Sequence, residues 1–262
     1  MNEFFNPHPH NTSRMLGLGH ILSMVICFSI VIVIGYLLRN ISSKKRRIIY
    51  QIIAIITLVL DPIYLLWEYF VTGTIHVPTS LPLYYCSIFI LAAPVFAFSK
   101  PGSKINLLFR NYILTMNIIC AVFGLVFLVH LNKYRMFHFV VIRSFFFHYL
   151  MVLMPSIIYF GEKPKLKLFD CFSFLIPASF IFIPAFIIDK VCGYDYCYFN
   201  GGRGTPVFMF AGKINSYLLF FLILLFFLVV TNLLINLPRY ISKKYQFKII
   251  KRENKEEFAE KK

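Results

Sequence analysis

The chain is dominated by uninterrupted apolar runs, separated by short connections that hold most of its charged residues. The runs have about 20 residues, the length that a helix needs to cross the hydrocarbon core of a bilayer. Only helices and closed barrels satisfy their backbone hydrogen bonds there, and barrel strands would alternate apolar with polar residues. Hydrophobic residues make up 59% of the chain, above the roughly 45–50% of soluble domains. The sequence therefore predicts an all-α, polytopic membrane helical bundle.

The apolar runs predict seven transmembrane helices. They lie close to residues 15–38, 48–70, 82–98, 107–129, 137–160, 168–188 and 213–237. We therefore expect a short N-terminal tail, 1–14, a transmembrane domain, 15–237, and a C-terminal tail, 238–262. Lysine and arginine concentrate in that last tail and in the connections after the first, third and fifth runs. This bias predicts a multi-pass protein of the cell membrane with its N-terminus outside and its C-terminus inside.

The net charge of +16 does not indicate a nucleic-acid partner. The positive residues follow the topology, and no basic patch is interleaved with aromatic residues that would stack on bases. We expect the basic C-terminal tail to meet anionic lipid headgroups instead. No cofactor or metal is expected, because Cys192-x4-Cys197 has no second pair of ligands. These two cysteines could form a disulfide if their side of the membrane is oxidising.

Four of the ionisable residues within the predicted spans are candidates for function, because such groups are costly in a membrane. Asp61 is either a site carboxylate or a buried carboxyl bonded to backbone freed by the following proline. Glu68 is either a headgroup ligand or an interfacial carboxylate. Arg143 requires a carboxylate, a lipid phosphate or water as its partner. His148, about 16 Å into the fifth span at 1.5 Å per residue, is either a structural histidine or a base.

Cys86 is the candidate nucleophile. It follows Pro82, Tyr84 and Tyr85 at the start of the third span, and a helix N-terminus or a nearby imidazole stabilises a thiolate. Together with His148 it would suffice for acyl transfer through a thioester. In a simple register the two residues differ by about 10 Å in depth, which a tilted helix or a shifted boundary would close.

The last loop is a candidate anion site. Gly201, Gly202 and Gly204 allow positive φ, so that successive N–H groups could line an anion nest beside Asn200 and Arg203. Such a nest suits a phosphate headgroup or an oxyanion. The alternative is a tight turn that leads into the seventh span.

These features resemble the YwaF-type integral membrane family, the bacterial relatives of the transmembrane protein 164 family of eukaryotes. The resemblance rests on Leu81-Pro-Leu-Tyr-Tyr-Cys86, on Arg143-x4-His148 followed by Pro155, on the Tyr-x-Tyr and Asn-Gly elements of 194–201, and on Thr205-Pro206. It implies a phospholipid acyltransferase with Cys86 as the nucleophile and His148 as the base. The family is similar in outline to the androgen-induced-gene-type lipid hydrolases. Tyr84 stands where many bacterial members carry a histidine.

Three functional hypotheses follow from the sequence. The first is a membrane acyltransferase or lipid hydrolase that acts on phospholipids at the outer leaflet side. Its catalytic residues would be Cys86 and His148, and its substrate-binding residues Glu68, Tyr84, Arg143, Asn200 and Arg203. The second is a small-solute or ion transporter with the buried charges as its pathway, although no repeated half is present. The third is a non-catalytic receptor or scaffold.

Overall fold

The computed structural model describes residues 3–6, 15–198, 222, 225–238 and 240–241. Within them the chain is helical and contains no strand. The α-helices are α1 (Leu18–Leu37), α2 (Ser43–Thr72), α3 (Val77–Ser80), α4 (Ile88–Phe98), α5 (Lys104–Leu114), α6 (Met116–Val126), α7 (Phe139–Glu162) and α8 (Leu175–Cys192). Short 3₁₀ turns occur at Glu3–Phe5, Leu38–Asn40, Tyr85–Ser87, Val129–Asn132, Leu168–Phe174 and Tyr196–Tyr198. Asn200, Arg203 and most of both predicted tails lie outside the described residues.

Five helical segments are long and apolar enough to cross a membrane. They are Leu18–Asn40, Ser43–Thr72, Lys104–Val126, Phe139–Glu162 and Leu168–Cys192. Two shorter apolar segments, Tyr85–Phe98 and Leu225–Pro238, lie where the third and seventh spans were predicted. The third is shorter than predicted because the backbone at Tyr84 is extended and α4 begins only at Ile88. The protein is thus a multi-pass helical membrane protein, as the sequence predicted.

Helix α7 lies at the centre of the bundle and packs against α1, α2, α5 and α6. Helix α1 is peripheral, since it buries only His20, Val31 and Gly35. Gly35 lets α1 approach α7, because a Cβ there would meet the Ser156 hydroxyl. The His20 ring donates from Nε2 to the Leu125 carbonyl at 2.8 Å. It thereby ties the start of α1 to the end of α6.

Two basic residues at the start of α2 cap the ends of neighbouring helical segments. Arg46 donates to the carbonyls of Arg39 and Ile41, and Arg47 donates to those of Phe98 and Ser99. The last carbonyls of a helix have no partner within it and carry partial negative charge, which a guanidinium satisfies. These arginines therefore hold neighbouring helical segments together.

The predicted fourth span is broken in two at Thr115, whose backbone (φ −120, ψ −91) separates α5 from α6. Just after the break, the fully buried Asn117 donates from Nδ2 to the Met151 carbonyl at 2.7 Å. Pro155 has no N–H, so α7 itself offers no donor to that carbonyl. The interhelical bond therefore compensates for the proline and fixes α6 against α7.

Candidate active site

Cys86 lies in the 3₁₀ turn that precedes α4. Ser87 N–H donates to the Tyr84 carbonyl and closes this turn. The half-buried thiol is within electrostatic reach of the Cys120 thiol and of the Tyr112 hydroxyl. Cys86 thus lies in the turn just before α4, and this turn packs against α6.

His148 is buried in α7 with one ring nitrogen engaged and the other unbonded. It is 7% exposed, and Nδ1 lies 2.7 Å from the Ser144 carbonyl oxygen. A carbonyl can only accept, so Nδ1 carries the hydrogen and Nε2 of the neutral ring carries the lone pair. Nε2 has no hydrogen-bond partner among the residues that the structure describes. A buried imidazole with a fixed tautomer and a free lone pair is suited to act as a general base.

Gly124 of α6 is the surface against which the His148 ring rests. A Cβ built on Gly124 would lie 2.0 Å from Nε2 and 2.3 Å from Cδ2. Gly124 follows Cys120 by four residues, so both lie on one face of α6, about 6 Å apart along its axis. The turn Tyr85–Ser87, which holds Cys86, packs against α6, and the His148 ring contacts α6 at Gly124. Both candidate catalytic residues therefore adjoin α6.

The Arg143 guanidinium forms an ion pair with the Asp61 carboxylate of α2. Its Nε also donates to the Leu60 carbonyl at 3.4 Å, and its Cζ lies 4.9 Å from the centre of the Tyr64 ring. Both partners are mostly buried, at 16% and 14% exposure. Arg143 therefore has the carboxylate partner that was one of the alternatives. Asp61 is therefore a mostly buried carboxylate with a charged partner.

Glu68 is buried near the C-terminal end of α2, where the neighbouring Trp67 packs against Phe139 at the start of α7. Glu68 is 7% exposed, and its Oε2 has no hydrogen-bond partner in the described part of the chain. Tyr134 is near it: burial and the Glu68 carboxylate together raise the pKa of this phenol. The Tyr134 ring stacks on His138 with centroids 4.2 Å apart. Glu68 is thus a buried carboxylate beside aromatic rings, not one that extends to the surface.

Tyr84 packs against the first part of the last loop, with its ring 5.2 Å from that of Tyr196. Asp189 accepts from the Tyr196 N–H at 2.8 Å and holds the loop. The Cys197 thiol donates to the Leu83 carbonyl at 3.0 Å, and both Cys192 and Cys197 are free. The loop therefore covers the segment before Cys86 without a disulfide between these two cysteines.

His130 is a site residue that the sequence reasoning missed. It lies in the 127–138 connection, within electrostatic reach of His148, Lys133 and His138. Burial first, and then these three groups, lower its pKa to about 4. A histidine outside the predicted spans gave no signal in the sequence. Cys120 and Gly124 were also missed, although small residues at i and i+4 indicate close approach on a helix face.

The described residues contain no group of three or more His, Cys, Asp or Glu side chains that could hold a metal ion. The family model for the TMEM164 family matches residues 15–232. The chain belongs to the TMEM164 family. The match confirms the resemblance inferred from the sequence and includes Cys86 and His148, while the narrower YwaF-type assignment stays a prediction. No curated protein and no solved structure matches the chain.

Proposed function

We propose that this TMEM164-family protein is a phospholipid acyltransferase or lipid hydrolase that works through a thioester on Cys86. The observation that carries the proposal is the unbonded Nε2 of His148, whose ring rests on α6, the helix against which the Cys86 turn also packs. In covalent acyl transfer, the nucleophile commonly lies within hydrogen-bond reach of a base, and a third group orients that base.

The reaction has two halves. In the first, His148 Nε2 takes the Cys86 proton, the thiolate attacks an ester carbonyl, and the alkoxide leaves with the proton from the imidazolium. In the second, His148 deprotonates an alcohol or water, which attacks the thioester; the C–S bond breaks, and the leaving Cys86 thiolate takes the proton back from the imidazolium. The Ser144 carbonyl, which accepts from Nδ1–H, stabilises the imidazolium that forms in each half.

The topology of the proposal has seven spans, with the N-terminus outside and the C-terminus inside. The segments Tyr85–Phe98 and Leu225–Pro238 would be the third and seventh spans. Cys86 and the start of α7 then lie on the outer leaflet side of the cell membrane. The basic tail after residue 238 would contact anionic headgroups on the inner side.

Five residues are proposed to contact the phospholipid substrate. Glu68 and Tyr84 lie at the end of the bundle where α4 and α7 begin. Arg143, oriented by Asp61, would contribute positive potential near the reacting ester. Asn200 and Arg203 are proposed from the sequence alone, as ligands of the headgroup phosphate or the oxyanion.

The test is to trap the thioester. The full chain in lipid nanodiscs is incubated with phospholipids bearing labelled acyl chains, and the labelled cysteine is found by mass spectrometry. We expect label on Cys86, lost in Cys86→Ala and His148→Gln and kept in the control Cys171→Ala. Label on another cysteine, or transfer that persists in Cys86→Ala, would overturn the mechanism. Substrate flux that persists in Cys86→Ala vesicles without lipid turnover would favour the transporter.

A further inference from the structure

We propose that Glu68, with the rings of Tyr64, Trp67 and Tyr134, forms a binding site for an ammonium group. Only the assignment of that group to a substrate headgroup rests on the proposed function, since binding itself does not require catalysis. The site takes an organic cation bonded to the carboxylate and enclosed by aromatic faces.

Among the described residues, no charged group is paired with the Glu68 carboxylate. Oε2 is buried without a hydrogen bond, and no lysine or arginine of the described chain forms an ion pair with it, since Arg143 is held by Asp61. A buried polar group left unsatisfied costs about 1–3 kcal/mol, and a charged one more. A cationic ligand would supply the missing partner.

Two tyrosines lie near the Glu68 carboxylate: Tyr64, one helical turn before it on α2, and Tyr134 are both within its electrostatic reach. The Trp67 side chain is 8% exposed, and its ring lies 5.7 Å from Tyr64 and 5.8 Å from His138. Tyr134 stacks on the same His138. Aromatic faces attract cations within about 6 Å of the ring centre, and boxes of such rings bind alkylammonium groups.

The composition of the site argues against an inorganic cation. Calcium takes about six to eight oxygen ligands, and magnesium prefers near-octahedral oxygen coordination, whereas this site has one carboxylate and several rings. Trp67 adds a buried Nε1–H that has no hydrogen-bond partner among the described residues. An ammonium attached to a phosphate complements both unsatisfied groups, because the cation meets Glu68 and a phosphate oxygen accepts from Trp67.

The chain carries its own reporter of this site, since Trp67 is its one tryptophan. The full protein in maltoside micelles is titrated with tetramethylammonium and with phosphocholine while its tryptophan emission is recorded. The same measurement is made in nanodiscs of phosphatidylglycerol into which phosphatidylcholine or phosphatidylethanolamine is mixed. We expect a saturable change with the ammonium probes and none with phosphatidylglycerol alone.

Comparing the micelle titrations with the nanodisc titrations shows whether the bound ammonium group belongs to a lipid or to a free amine. A change in the mixed nanodiscs assigns the ammonium to a lipid headgroup, and a change with the soluble probes alone assigns it to a free amine. No saturable change in either series overturns the site.

Matched variants test the residues. Glu68→Gln should weaken binding at least about tenfold, the loss expected of a charge-assisted bond. Glu162→Gln, the same change at an exposed position at the far end of α7, should leave binding unchanged. Equal affinity in Glu68→Gln and the parent would refute the proposal.

If Glu68→Gln does not fold, the variant Tyr134→Leu tests the ammonium site instead. Binding should fall by about tenfold, as for a desolvated cation–π contact, while Tyr69→Leu on the exposed face of α2 keeps it. Cys86→Ala separates the two proposals, because it should abolish thioester formation and still bind the ammonium probes. Thioester formation without ammonium binding would instead leave the acyl chemistry standing and remove this site.

Discussion

Replacing Gly124 by alanine should displace the proposed base. The new Cβ would lie 2.0 Å from Nε2, 2.3 Å from Cδ2 and 3.0 Å from Cε1 of His148, whereas ordinary contact begins at 3.4 Å. The ring must therefore retreat by about 1.4 Å, since packed interiors have little room to absorb such overlap. It cannot retreat freely, because Nδ1–H is bonded to the Ser144 carbonyl at 2.7 Å.

The expected effect on activity is large and the effect on stability is small. A misplacement of about 1 Å costs about 10²-fold in rate, so thioester formation at Cys86 should fall about 100-fold. Alanine favours a helix interior over glycine by about 1 kcal/mol, and overpacking costs about 1–3 kcal/mol. The net loss of stability should therefore stay below about 2 kcal/mol, and the variant should fold.

The assay is single-turnover acylation of Cys86 in nanodiscs, with the thermal midpoint measured on the same preparation. Gly19→Ala is the matched control, because a Cβ there meets only Met136 Cε, at 3.9 Å. A folded Gly124→Ala protein that acylates Cys86 at the parent rate would refute the assignment of His148 as the base.

Three further predictions follow. Arg143→Gln should destabilise the protein by roughly 3–5 kcal/mol because it leaves the Asp61 carboxylate buried and unpaired; the double variant with Asp61→Asn should lose less, as a denaturation cycle would reveal. Asn117→Leu should cost about 1–3 kcal/mol by removing the donor to a buried carbonyl; the loss should shrink in a Pro155→Ala background, where α7 supplies that donor. Because folding lowers the pKa of His130 to about 4 from 6.5, the unfolded chain binds its proton first. The thermal midpoint should therefore fall as the pH drops from 6.5 towards 4, and less steeply in His130→Gln.

The sequence predicted which residues need partners more readily than it predicted the partners. Arg143 required a counter-charge and Asp61 had none assigned, since the spacing of residues within one helix does not reveal which helices pack together. The ion pair arises because α7 lies against α2. Asn117 was missed for the same reason: Pro155 signals a carbonyl without a donor, but the donor comes from another helix.

The depth of a residue in the membrane was also harder to predict than the helix to which it belongs. Counted along the fifth span alone, His148 lay far below Cys86. In the structure the end of the bundle is uneven: α6 ends at Val126, two residues after Gly124, while α7 begins at Phe139. His148 is thus deep along its own helix and close to the end of α6. A register built from straight spans of equal height cannot show this.

The 127–138 connection accounts for that unevenness and joins the two proposed sites. Its His130 is within electrostatic reach of His148, its Tyr134 is near Glu68, and its His138 stacks on Tyr134 and packs on Trp67. A headgroup bound at Glu68 would therefore contact the same segment that adjoins the base. Recognition of the headgroup and chemistry at Cys86 would then be coupled through this one connection, so that a lipid bound at Glu68 positions its ester for attack.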